Sequence, residues 1–143
     1  MNKRLIFFGT AALVFLLDRI TKLLIVHNIS PGTSVEVGPV ALVHILNTGT
    51  AFGLLKSAGL IFTVAALLVS IYLIVRHQNY DSRMQLPLGL VLGGALGNVV
   101  DRFVYGAVID FIDVHFWPVF NVADSAITIA IVLFIIMELK KSK

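Results

Sequence analysis

Four long apolar runs divide the chain, at about 5–26, 58–75, 86–104 and 122–138. Crossing roughly 30 Å of hydrocarbon as a helix takes about twenty mostly apolar residues, so each run predicts a transmembrane helix. Lys3 and Arg4 precede the first run, which looks like a secretory leader as far as Leu17. No small-residue cleavage site follows; Asp18, Arg19 and Lys22 stand there instead, so the run is read as an uncleaved first helix. The second run carries no charge, the third has Gly89, Gly93 and Gly97 at four-residue spacing, and the fourth ends in Glu138 and the basic tail Lys140, Lys141 and Lys143. Between the first two runs, 27–57 contains the turn signal Pro31-Gly32. Ser34 to Leu46 then alternates loosely with several β-branched and apolar residues, among them Val35, Val37, Val40 and Val43. This predicts a small sheet on the membrane surface. The expected architecture is an all-α membrane core of four transmembrane helices with a small extracytoplasmic β-sheet and an interfacial loop, in a single domain over 1–143.

Composition agrees with a membrane class. The 143 residues are 58% hydrophobic and 13% charged, against about 45–50% and 25% in soluble domains. The net charge of +3 comes from basic residues scattered over short segments. They form no stripe for nucleic acid, and they orient the chain instead. Short loops retain Lys and Arg on the cytoplasmic side. Lys3 and Arg4, Arg76 and Arg83, and the lysine tail all share one side if four helices alternate, so both termini are expected in the cytoplasm. Asp18, Glu36, Asp101, Asp110, Asp113 and Asp124 segregate to the other face, where chemistry is to be sought. The absence of cysteine removes disulfides and thiolate nucleophiles.

Asp110, Asp113 and Asp124 lie within fifteen residues, separated by an apolar and aromatic stretch that includes Phe111, Phe116, Trp117 and Phe120. Two carboxylates close together in a half-dry site do not both ionise easily, so one keeps a proton near neutral pH. An aspartic peptidase needs that division: one carboxylate activates water and the other, protonated, polarises the scissile carbonyl. The plainer reading makes Asp124 a residue favoured at a helix N-terminus and Asp113 a solvated loop residue. Asn98 and Arg102 are four apart and share a helix face beside Asp101; they suit an inter-helix bond and a snorkelling anchor. Asp18 and Lys22, also four apart, are expected to be a structural ion pair. The glycine series predicts close helix packing. His27, His44, His77 and His115 are scattered, with no paired ligand spacing, so no metal is expected. No G-x-S-x-G elbow occurs, and Lys56 beside Ser57 points away from it. The aromatic cluster at Trp117 suits an interfacial belt.

Five ordered stretches give the chain a resemblance to the signal peptidase II family. They are Asp18 with Lys22, NTGTAF from Asn47 to Phe52, GGALGNVVDR from Gly93 to Arg102, GAVIDF from Gly106 to Phe111, and FNVAD from Phe120 to Asp124. The resemblance implies four helices with an extracytoplasmic sheet, and a bacterial inner-membrane endopeptidase without a cofactor, acting as a monomer. Its substrates would be diacylglyceryl-modified prolipoproteins held in membrane lipid and cut before the modified cysteine. By motif position the catalytic aspartates fall on Asp110 and Asp124, with Asp113 a helper or bystander. Asn47, Gly49, Asn98, Asp101, Arg102 and Asn121 fall among the residues that bind substrate or support the dyad. Leu46 and Thr50 depart from the family pattern, which bears on loop gating. A transporter would instead carry midplane charges in repeated halves, and an assembly subunit would leave the aspartates dispensable.

Overall fold

A computed structural model describes residues 2–49 and 58–141. Residues 50–52 of the NTGTAF stretch, the Lys56–Ser57 pair and Lys143 therefore lie outside the described residues. The elements run α1 (Lys3–Asn28), β1 (Ser34–Val37), β2 (Val40–Asn47), α2 (Ala58–Arg76), α3 (Gln85–Tyr105), β3 (Val108–Asp113) and α4 (Val122–Lys141). Two short 3₁₀ turns, His77–Asn79 and Ser82–Met84, join α2 to α3. Each helix begins and ends within a few residues of the apolar run that predicts it.

Gly59–Asn79, Ser82–Tyr105 and Val122–Lys140 are long and apolar enough to cross a membrane. The helix α1 has the length, at 26 residues, but carries Asp18, Arg19 and Lys22 within its apolar run. Asn2 opens α1 by accepting a hydrogen bond from the Arg4 amide, 3.1 Å, which satisfies one of the free N–H groups of the first turn.

The helix α3 is the centre of the bundle and packs on α1, α2 and α4. Its small residues make this possible. A methyl group at Gly93 would stand 2.5 Å from the Ala11 carbonyl oxygen of α1, and one at Gly94 would stand 2.6 Å from the Ala123 carbonyl oxygen of α4. Adjacent glycines thus admit backbones on two sides, and α1 and α4 close in on one level of α3.

Gly106, at φ 71°, ends α3 with its amide on the Arg102 carbonyl oxygen, 3.1 Å. This left-handed cap turns the chain straight into β3. The sheet is antiparallel in the order β1-β2-β3. Its third strand is not expected from sequence, where VIDFID reads as part of an interfacial loop. Val108, Ile109, Asp110 and Phe111 are all buried, so the strand lacks the alternation that would advertise it. Ile25 and Ile29 at the end of α1 pack with Ile109 and Phe111, which fixes the sheet to the helical bundle. Ile45 pairs with Asp110 and Asn47 with Val108. At the other end, the Lys3 ammonium donates to the Tyr80 carbonyl oxygen, 2.7 Å, so the start of α1 sits at the α2–α3 turn.

Candidate active site

Asp110 and Asp124 reach one small cavity from different elements. Asp110 stands in β3, and Asp124 in the first turn of α4. The cavity, about 70 Å³, is lined by Asn47, Gly49, Asn98, Arg102, Val108, Asp110 and Asp124. That is room for water, whose share of liquid volume is about 30 Å³. Asp113 is not among the lining residues. On a strand, side chains three apart point to opposite faces, and Asp113 instead accepts the His115 amide, 2.7 Å.

Three asparagine amides hold the two carboxylates, and each amide has its orientation fixed from behind. Asn47 accepts the Gly49 amide on Oδ1, 2.8 Å, and donates from Nδ2 to Asp110 Oδ2, 2.8 Å. Asn121 accepts the Asp124 amide on Oδ1, 2.9 Å, and donates from Nδ2 to Asp110 Oδ1, 2.7 Å. Asn98 accepts the Lys22 ammonium on Oδ1, 3.0 Å, and donates from Nδ2 to Asp124 Oδ1, 2.9 Å. The other Asp124 oxygen accepts the Asn121 amide, 3.3 Å. Asn121 and Asp124 are therefore a reciprocal cap at the start of α4. The plain capping reading of Asp124 describes one of its oxygens; the second faces Asn98.

Burial raises the Asp110 carboxyl from 3.8 to about 6, and the negative charge of Asp124 adds to the rise. The hydrogen bonds from Asn47 and Asn121 and the charge of Lys22 pull the other way. Burial is the largest influence, so the proton is held well above the ordinary carboxylate range.

Behind this site lies a charge cluster. Lys22 is 2.9 Å from Asp18 and 2.6 Å from Asp101, and Arg19 pairs with Asp101. Two cations and two carboxylates balance, which is the condition for keeping charge in apolar surroundings. Asp18 also accepts the Ala123 amide, 3.0 Å, and so holds the start of α4. Asp101 accepts the Ile109 amide, 3.1 Å, and so holds the strand one residue before Asp110. Asp101 thus bears on Asp110 only through the backbone and is not among the residues lining the cavity. The role of Arg19 is missed by sequence reasoning; the rule that a charge inside an apolar helix needs a partner is the signal that finds it. Arg102 donates to the Asn98 carbonyl oxygen, 3.3 Å, and lines the cavity. Among the described residues no three His, Asp or Glu side chains converge as a metal site.

Residues 10–140 match the family model described as signal peptidase (SPase) II. The chain belongs to the signal peptidase II family. It is 47% identical over 135 residues to a lipoprotein signal peptidase of Thermodesulfovibrio yellowstonii, covering 90% of this chain and 91% of that one. It is 42% identical over 143 residues to one of Syntrophomonas wolfei, covering 96% and 95%. A solved structure described as a bacterial membrane enzyme, determined by the in meso method at 1.9 Å, superposes with a TM-score of 0.84 at 35% identity, over 92% of this chain and 90% of that one. The chain is thus a membrane protein and a protease.

Proposed function

We propose that this signal peptidase II, which removes signal peptides from prolipoproteins, is an aspartic endopeptidase with Asp110 and Asp124 as its catalytic pair, cutting before a diacylglyceryl-modified cysteine. The observation that carries this reading is the convergence of two carboxylates on one water-sized cavity, each gripped by an oriented amide. Asp110, whose carboxyl is pushed up to about 6, is the member suited to hold the proton. It hydrogen-bonds the scissile carbonyl. The Asp124 carboxylate takes a proton from the attacking water and passes it to the leaving amine as the tetrahedral intermediate collapses, while Asp110 keeps its own proton. An incoming peptide displaces water from the cavity and raises the Asp110 carboxyl further, so binding itself favours the shared-proton state. Arg102 on the cavity wall holds a substrate carbonyl. Asn47, Asn98 and Asn121 keep the carboxylate oxygens fixed.

The whole chain acts as one domain with four spans, α1 being the fourth. Its apolar side chains Leu13, Leu16, Ile20, Leu23 and Leu24 are exposed, while Asp18 and Lys22 are buried. Lipid on one side and charge on the other is the pattern of a spanning helix in a bundle. The end of the bundle with Lys3, Arg76 and Arg83 faces the cytoplasm by the distribution of positive charge. The sheet and the aspartates then face outward from the inner membrane, and the signal helix of the substrate stays in the bilayer beside them.

Asp110→Asn and Asp124→Asn are each expected to stop cleavage of a lipid-modified precursor, since general acid–base help is worth about 10²–10⁴ in rate. Because the two act as a unit, the double variant is scarcely worse than either single one. Asp113→Asn retains most activity. Cleavage by Asp110→Asn together with failure of Asp113→Asn would move the catalytic position within β3, and additive losses would argue against a shared site.

A further inference from the structure

At the opposite end of α3 and α4 from the aspartates is a larger cavity, about 790 Å³, between the Ser82–Met84 turn and the last turns of α4. Met84, Leu133, Phe134 and Met137 make its walls apolar. Its charged rim is Asp81 and Arg83 on one side, Glu138 and Lys140 on the other. The start of α1 lies at this same end, where the Lys3 ammonium meets the Tyr80 carbonyl oxygen.

Two features narrow the occupant. From Leu133 to Lys140 the groove follows α4 for roughly 10 Å at about 1.5 Å per residue, a third of the roughly 30 Å hydrocarbon layer. A spanning peptide helix needs a groove running the full depth. The acyl chains of a lipid in one leaflet do not. The rim, moreover, carries both signs of charge, with Arg83 and Lys140 beside the exposed Asp81, so it complements a head that carries both signs. Asp81 does not close its side chain onto the turn it begins.

We propose that this groove holds one phospholipid with a zwitterionic amino headgroup, from the leaflet on the side where α1 begins. The phosphate lies against Arg83 and Lys140, the ammonium against Asp81, and an acyl chain against Met84 and Phe134. The assignment is independent of the roles of Asp110 and Asp124.

The test uses the purified full chain, stripped of lipid in detergent and titrated with phosphatidylethanolamine or phosphatidylglycerol of matched chains, with retention read by native mass spectrometry. The wild type is expected to retain phosphatidylethanolamine roughly three- to fivefold better, the contribution of an exposed ion pair. Asp81→Asn removes that preference while still binding both lipids. Ile136→Trp, at a half-exposed groove position, fills the apolar space and loses both. Equal retention of the two lipids by the wild type, or an unchanged preference in Asp81→Asn, overturns the proposal. So does equally effective competition by glycerophosphoethanolamine, which has no acyl chains, or displacement of the lipid by an equimolar basic signal-peptide segment. Asp81 is exposed, so Asp81→Asn decides the matter even if Ile136→Trp does not fold.

Discussion

Replacing Asp110 by asparagine tests the electrostatics of the site separately from its chemistry. In the folded chain the Asp110 carboxyl is raised from 3.8 to about 6, so the folded state binds that proton more tightly than the unfolded one. The sign follows: Asp110 costs nothing in stability well below 3.8, costs progressively more between 3.8 and about 6, and carries the full cost above that. At about 1.36 kcal/mol per unit the ceiling is roughly 3 kcal/mol. Asparagine removes this cost at high pH but introduces another. Both Asp110 oxygens accept from amide Nδ2 groups, of Asn47 and Asn121, whose orientations are fixed by Gly49 and Asp124. An asparagine amide must turn its own NH₂ toward one of them, and a buried donor facing a donor costs about 1–3 kcal/mol. Near pH 7.5 the two effects largely cancel, and the variant melts close to the wild type. At pH 4 only the donor clash remains, and the variant is the less stable. Thermal unfolding in detergent at a series of pH values, followed by circular dichroism, should show the gap closing as pH rises. A gap that stays constant or widens with pH would refute the account of Asp110.

The charge cluster and the asparagines give two further tests. Lys22→Met leaves Asp18 and Asp101 with Arg19 alone and is expected to cost about 3–5 kcal/mol, as breaking a buried pair does; adding Asp101→Asn restores neutrality, so the double variant should be less destabilised than the sum of the single ones, and strict additivity in a double-mutant cycle would show that charge balance is not what matters. Asn47→Leu removes a hydrogen bond that favours ionised Asp110, so the fall of kcat/KM with rising pH, expected through about 6 in the wild type, should move to higher pH; an unmoved limb would mean that the titrating proton is not on Asp110.

Legibility in the sequence follows from what periodicity can encode. The four helices were legible because each is a long apolar run, and a small sheet between α1 and α2 because Ser34 to Leu46 alternates loosely, although Val35 and Val37 of β1 are exposed. The strand β3 was not, since a segment buried on both faces has no period to read. Without it the meeting of Asp110 with Asn47 stays hidden: the contact depends on a register, Ile45 against Asp110, that no local pattern specifies. The Gly93 spacing announced a close helix contact, but Gly94 reads as one more small residue although it admits α4. Asp18 and Lys22 were legible as an i, i+4 pair. That Asp101 joins them from another helix, and that Arg19 balances the count, are facts of tertiary packing. The family motifs placed the polar residues in order without saying which one touches which.

The arrangement explains why charges occur in α1 at all. Two carboxylates that meet at one cavity must be held close, and here Asp110 hangs from a strand and Asp124 from a helix end. The Asn121–Asp124 cap fixes one Asp124 oxygen locally, but the strand and the start of α4 must still be held against each other. The cluster supplies the fixing: Asp101 takes the Ile109 amide, Asp18 takes the Ala123 amide, and Lys22 turns Asn98 toward Asp124. Each has a charged partner, which strengthens a hydrogen bond, and each acts one residue or one amide away from a carboxylate of the site. Apolar residues of the same volume would stabilise the bundle as well or better, but they offer no acceptor for those two amides and no donor for Asn98. The buried ions in α1 are therefore accounted for by the geometry of the carboxylate pair, at a depth where charge without such a task is rare.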